Sequence, residues 1–176
     1  MGHTPVNVEF IPLNIAVMTV SDSRTDEDDK SGNILAERLQ KAGHILAEKK
    51  IVPDDIYQMR AVVSQWIADP DVHAVITTGG TGLTGRDVTP EAMKILYDKE
   101  IEGFGEIFRK ISYDLIKTST IQSRAIAGLA NGTMIFSLPG SPGACKDGWD
   151  GIIEQQLDSR TRPCNLVEMM PRFLEK

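Results

Sequence analysis

The chain has 176 residues, a formal net charge of −6 and two cysteines, Cys145 and Cys164. That length suits one domain with a full core, and the negative balance argues against nucleic acid as the main partner, since phosphate backbones attract excess cation. No apolar run approaches the roughly 18 residues of a membrane span, no cationic, apolar leader is present, and two cysteines make no disulfide framework, so a cytoplasmic protein without membrane partners is expected.

Residues 1–12 read as an N-terminal arm. Pro5 and Pro12 discourage regular structure, although Val6, Val8 and Phe10 alternate and could pair with a sheet edge or a second subunit. Ile15 to Val20 is a continuous apolar run, the pattern of a buried parallel strand. Ser21-Asp22-Ser23-Arg24 follows, small and polar enough for ligand contact, and Asp26 to Lys30 reads as a solvated loop. Ser31 is placed to cap a helix with Leu35, Leu39 and Ala42 on one face and Gly43 as its stop. Ile45 to Val52 is a second strand, running into Pro53-Asp54-Asp55 and a helix striped with Ile56, Met59, Val63 and Trp66. One of the two aspartates suffices to cap that helix; the other is free for chemistry.

Ala74 to Thr78 is the third strand. It opens into a loop carrying Gly79, Gly80, Gly82 and Gly85 and ending on Asp87; Thr89-Pro90-Glu91 then has the hydroxyl, proline and acid of a helix start. Glycines let backbone N–H groups approach a ligand, and inward N–H groups beside a helix start make an anion cradle. A carboxylate there repels bare phosphate and makes sense when a hard cation such as Mg²⁺ lies between them. Gly80 to Gly85 also satisfies G-x-G-x-x-G, which would suit an NAD(P)-dependent oxidoreductase, but the helix is delayed to Pro90 and no clear strand follows. Gly80 to Asp87 departs from a P-loop at Arg86 and Asp87.

The helix from Pro90 carries Met93 and Leu96-Tyr97. A turn is expected at Gly103 to Gly105, and a further helix from Glu106 to Leu115 with Ile107, Ile111 and Leu115 inward. Thr118-Ser119-Thr120 and Ser123-Arg124 form a polar cluster suited either to capping or to holding substrate. Met134 to Leu138 is a fourth buried strand after a turn at Gly132. It ends in Pro139-Gly140-Ser141-Pro142-Gly143, where Ser141 caps a helix aligning Cys145, Trp149, Ile152 and Leu157, so Cys145 reads as core filler. Arg160 to Asn165 is a strap or an oligomer contact, and 167–176 is a C-terminal tail. His3, His44 and His73 lack zinc-ligand spacing.

Alternating strands and helices imply a single α/β domain over 13–166, a mainly parallel sheet with helices on both faces. Ligands of such sheets bind beyond the carboxyl ends of the strands. Ser21 to Arg24, Pro53 to Asp55, Gly79 to Asp87 and Pro139 to Gly143 share that rim, while His44, Asp69 to His73 and Asn131-Gly132 look like plain turns on the other. Asp54 and Asp87 beside a glycine-lined cradle suit Mg²⁺-nucleotide chemistry, nucleotidyl or phosphoryl transfer.

Thr77-Thr78-Gly79-Gly80-Thr81-Gly82 with Arg86-Asp87-Val88-Thr89-Pro90-Glu91, Ile101 to Glu106, Ser123-Arg124-Ala125 and Leu138 to Pro142 resemble, in the same order, the signature of the molybdopterin-binding (MoaB/MogA) family. The likeness runs from about Ile11 to the end, and Asp158 to Asn165 is similar to its MoaB branch. The resemblance implies a Rossmann-like three-layer sandwich that adenylylates molybdopterin with Mg-ATP and releases pyrophosphate, or a non-catalytic molybdopterin carrier of the same pathway. It implies Asp54 and Asp87 as the Mg²⁺-holding catalytic pair, both retained here. Gly79, Gly80, Thr81 and Gly82 would then cradle phosphate, with Ser21, Ser123, Gly140 and Ser141 as further contacts. A homotrimer, or a hexamer of trimers, is implied as well.

Overall fold

The computed structural model describes residues 8–175. Its centre is a six-stranded sheet in the order β2-β1-β3-β6-β5-β4. The strands are β1 (Asn14–Val20), β2 (Ile45–Val52), β3 (Ala74–Thr78), β4 (Lys99–Glu100), β5 (Ile126–Ala130) and β6 (Thr133–Leu138). β2, β1, β3 and β6 run parallel; β5 and β4 are antiparallel additions at one edge. The four strands expected from the sequence are the four parallel strands, three of them apolar runs and the edge strand β2 mixed in character. β5 and β4 are the two strands the hydrophobic pattern does not announce.

Alternation along the strands divides the core into two layers. Ile15, Val17, Ile76, Phe136 and Leu138 face α1 (Lys30–Lys41), α4 (Glu102–Ile116) and α5 (Pro142–Gly148). Ala16, Met18, Val75 and Ile135 face α2 (Ile56–Ala68) and α3 (Thr89–Lys94). The α5 helix continues through one π-helical turn, Trp149–Ile153, into α6 (Glu154–Leu157). The wider turn moves the inward position from the expected Ile152 to Ile153, which is buried between Trp149 and Leu157.

Three expectations about helices are corrected. Ser31 does not cap α1: Asp29 does, its carboxylate accepting from the Gly32 N–H at 2.9 Å. Thr89 is not a cap but the first residue of α3, and its hydroxyl donates to Gly79 O at 2.8 Å. α4 starts at Glu102, without a turn at Gly103 to Gly105, and buries Phe104, Phe108 and Ser112. Ile107 and Leu115 are exposed instead. The helix has apolar residues on two faces, and the larger phenylalanines take the core.

The N-terminal segment is fastened at Ser159, whose hydroxyl donates to Glu9 O at 2.8 Å and accepts from the Ile11 N–H at 3.0 Å. Residues 9–13 are therefore tied down, and Leu13 is buried; Val6 falls outside the described residues. The expected boundary after residue 166 falls inside α7 (Leu166–Met169), where Val167 packs into the core. No helix of the described residues is long and apolar enough to cross a membrane.

Candidate active site

A cleft of about 580 Å³ lies over the carboxyl ends of β1, β3 and β6. Ser21, Asp54, Gly79, Gly80, Thr81, Gly82, Asp87, Ser123 and Gly140 all line it. Ser141 does not: its hydroxyl accepts from the Ala144 N–H at 3.1 Å and caps α5. Of the two adjacent aspartates, Asp55 caps α2 by accepting from the Gln58 N–H at 2.8 Å, and Asp54 is the one left to the cleft.

The glycine loop is shaped by its neighbours. Gly79 and Gly80 have φ of 106° and 66°, a region that side chains disfavour. A Cβ on Gly79 would stand 2.3 Å from Val20 O, so the loop passes hard against the end of β1. A Cβ on Gly80 would stand 3.2 Å from Asp54 Oδ1, and one on Gly82 2.7 Å from Asp87 Oδ2. The two carboxylates therefore flank the same short run of backbone. At Gly85, the last glycine of the G-x-G-x-x-G match, a Cβ would meet nothing within 4 Å, and no helix opens there, so the dinucleotide geometry is not formed.

Arg124 fastens this loop from behind. Its guanidinium donates to Gly82 O at 2.8 Å and to Asp87 O at 2.7 Å, and pairs with Glu91. Its own N–H reaches Thr81 O at 3.2 Å. With their carbonyls engaged there, Thr81, Gly82 and Asp87 are fixed in the backbone.

The carboxylates differ in character. Hydrogen bonds from Thr84 (Oγ1 at 2.6 Å and N at 2.9 Å) hold Asp87 below the usual carboxylate range. Burial, then the charge of Asp22 and to a lesser degree that of Asp87, pushes Asp54 up. Asp54 thus sits among like charges, the condition that a bound cation relieves. Among the described residues no group of three or more His, Cys, Asp or Glu is arranged to hold a metal. Two carboxylates beside hydroxyls and amides fit Mg²⁺ shared with substrate phosphates, an ion that commonly takes only one or two protein carboxylates.

Several cleft residues escaped the sequence reading. Asp29, expected in a solvated loop, is 1 % exposed, accepts from Thr19 Oγ1 at 2.8 Å and lies 2.8 Å from Lys49 Nζ. Its signal was its place three residues before Gly32, a capping position. Ser31 lines the cleft and donates to Gly140 O at 3.0 Å. Ser119, from the polar cluster Thr118-Ser119-Thr120, and Gln122, which no motif marks, form a wall from the 3₁₀ segment Lys117–Gln122.

Comparison with known proteins identifies the family. Residues 16–159 match the family described as "Probable molybdopterin binding domain". The chain belongs to that family. It is 56% identical over 160 residues to the molybdenum cofactor biosynthesis protein B of Escherichia coli (strain K12), covering 91% of this chain and 94% of that one. A crystal structure of a molybdenum cofactor biosynthesis protein B superposes with a TM-score of 0.81 at 43% identity, over 88% of this chain and 94% of that one. The tungsten cofactor synthesizing protein MoaB of Pyrococcus furiosus superposes at 0.73 with 40% identity, over 82% and 92% of the two chains. Within the molybdopterin-binding family, then, this chain carries the expected mainly parallel α/β fold and is a close relative of proteins named for molybdenum cofactor biosynthesis.

Proposed function

We propose that the chain acts in molybdenum cofactor biosynthesis as a molybdopterin adenylyltransferase. The observation that carries this is the placement of Asp54 and Asp87 on either side of Gly80 to Gly82 in one cleft. The terminal phosphate of molybdopterin attacks the α-phosphorus of ATP; a P–O bond forms there as the bond to pyrophosphate breaks. Asp54 and Asp87 would hold Mg²⁺, which when bound neutralises phosphate charge. The backbone N–H groups of Gly80 to Gly82 receive phosphate oxygens. Ser21 and Ser123, both lining the cleft, offer hydroxyls for orienting the substrates. Gly140 lets the loop after β6 pass close to the glycine loop, since a Cβ there would stand 3.0 Å from the Gly79 Cα.

The test supplies molybdopterin, ATP and Mg²⁺ and follows adenylyl-molybdopterin and pyrophosphate. Asp87→Asn should slow turnover by about 10² or more, the scale for losing one preorganised electrostatic group. Unchanged turnover in that variant refutes its role, and tight molybdopterin binding with no product selects the carrier reading. The homotrimer or hexamer belongs to the same proposal. It is supported by Ile107, Tyr113, Leu115 and Ile116, all exposed on α4, and light scattering in solution tests it.

A further inference from the structure

Asp22 and Arg86 are absent from the cleft lining, yet they join the two loops that carry its carboxylates. The Arg86 guanidinium forks onto Asp22, Nε to Oδ2 at 2.9 Å and Nη2 to Oδ1 at 2.7 Å. The same Oδ1 accepts the Asp54 N–H at 3.1 Å. Arg86 immediately precedes Asp87 in the chain. One oxygen of Asp22 therefore receives both the backbone of Asp54 and the neighbour of Asp87, tying the loops after β1, β2 and β3 at one point. The glycine loop has no other side-chain bond to the loop after β2 among the described residues.

We propose that Asp22 and Arg86 are positioning residues that set the separation of Asp54 and Asp87 from outside the cleft. The inference rests on the adenylyltransferase reading for its effect on turnover, but not for its geometry. An exposed ion pair contributes little to global stability, because solvent screens it and side-chain entropy opposes it. Its value lies in geometry: a planar, two-pronged contact fixes direction as well as distance. Two carboxylates that must share one ion are sensitive to shifts well under 1 Å, so a brace with little stabilising effect can still govern the rate.

Two measurements test this on the full chain. The first is amide hydrogen exchange without substrate. Arg86→Ala should raise exchange of the peptide spanning 53–55 at least threefold, though Arg86 lies 32 residues from Asp54, in the loop after β3. Asp22→Ala should raise exchange of both 53–55 and 84–88. Unchanged exchange at 53–55 in Arg86→Ala overturns the brace, whatever the activity of the protein. The second is turnover with molybdopterin and Mg-ATP. Each single variant should lose about tenfold in kcat with KM for ATP changed less than threefold. The double variant should lose no more than either single one, because both act through one contact. Arg86→Lys should recover part of the loss, keeping the charge but not the fork. Additive losses, or wild-type kcat in Asp22→Ala, overturn the positioning role. If the wild-type chain forms no product, the function proposed above fails, and the exchange data alone decide the brace.

Discussion

Lys49 Nζ lies 2.8 Å from the carboxylate of Asp29, which is almost wholly buried at the edge of the cleft. Burial alone would raise the Asp29 carboxyl, but hydrogen bonds from Lys49, the Gly32 N–H and Thr19 reverse that effect and hold it below the usual range. A carboxyl whose folded pKa is depressed adds stability that is present above its unfolded pKa and fades as pH falls through the folded one. Lys49→Met should therefore cost about 3 kcal/mol at pH 7 by leaving a buried charge without its partner. The gap to wild type should narrow as pH falls, because Asp29 without Lys49 takes up its proton first, and it should close only below the ordinary carboxylate range of about 3.9, where the depressed wild-type carboxyl is protonated as well. Denaturant titration at pH 7, 5 and 3.5 measures it; a gap that does not change with pH contradicts the pairing.

Asp54 and Asp55 should separate function from stability. Asp55→Ala removes a helix cap and should cost about 1 kcal/mol, with turnover nearly intact. Asp54→Asn should do the reverse. Its folded pKa is raised, so the ionised form is disfavoured in the folded chain at neutral pH and the neutral amide relieves that cost. The variant should melt slightly higher than wild type without Mg²⁺ and ATP, and should lose most of the added stability that wild type gains with them. Thermal melts in both conditions are the check, and an Asp54→Asn that melts below wild type without ligands speaks against the crowding.

The glycines of the loop should not be equivalent. Gly79→Ala places a Cβ 2.3 Å from a backbone oxygen at positive φ, a clash that the rigid end of β1 cannot relieve. It should destabilise the fold by about 3 kcal/mol, combining overpacking with left-handed strain. Gly82→Ala meets the side chain of Asp87 instead, so its main effect should be on turnover. Gly85→Ala meets nothing and should be within about 0.5 kcal/mol of wild type, with normal rate. Parallel urea titrations and rate measurements would expose any other ranking.

Arg124→Ala leaves the carbonyls of Gly82 and Asp87 without their guanidinium partner. The expected result is a loosened loop: about 2 kcal/mol of stability and at least tenfold in rate. Restoring part of that rate with added guanidinium ion would locate the loss at the vacated contacts, while Arg124→Lys, with one ammonium in place of a fork, should remain slow.

The legible parts of this molecule were those where one local rule decides. Three of the parallel strands, β1, β3 and β6, are buried on both faces and so appear as apolar runs, and counting one cap per helix leaves one of Asp54 and Asp55 free, the structure giving the cap to Asp55. β5 was missed because Ala127, Gly128 and Ala130 carry little strand propensity. Its signal was Asn131-Gly132, read as a plain turn; both residues have positive φ and close a two-residue hairpin between β5 and β6. β4 spans two residues and leaves no pattern to read. In α4 the sequence offered two apolar stripes, and only tertiary packing chooses Phe104 and Phe108 over Ile107 and Leu115. Asp29, Lys49 and Arg124 come from separate elements, so no spacing rule could join them. The same holds for Asp22 and Arg86.

Both margins of the sheet are poor templates for further strands. One is β4, with two residues to offer. The other is β2, whose middle reads Glu48-Lys49-Lys50, with Lys49 turned toward a buried acid. A charge directed inward from a border strand, with acidic and basic neighbours beside it, makes that border costly to cover with another strand. The ion pair at the edge of the cleft thus also leaves this border with a charge that a neighbouring strand would have to cover.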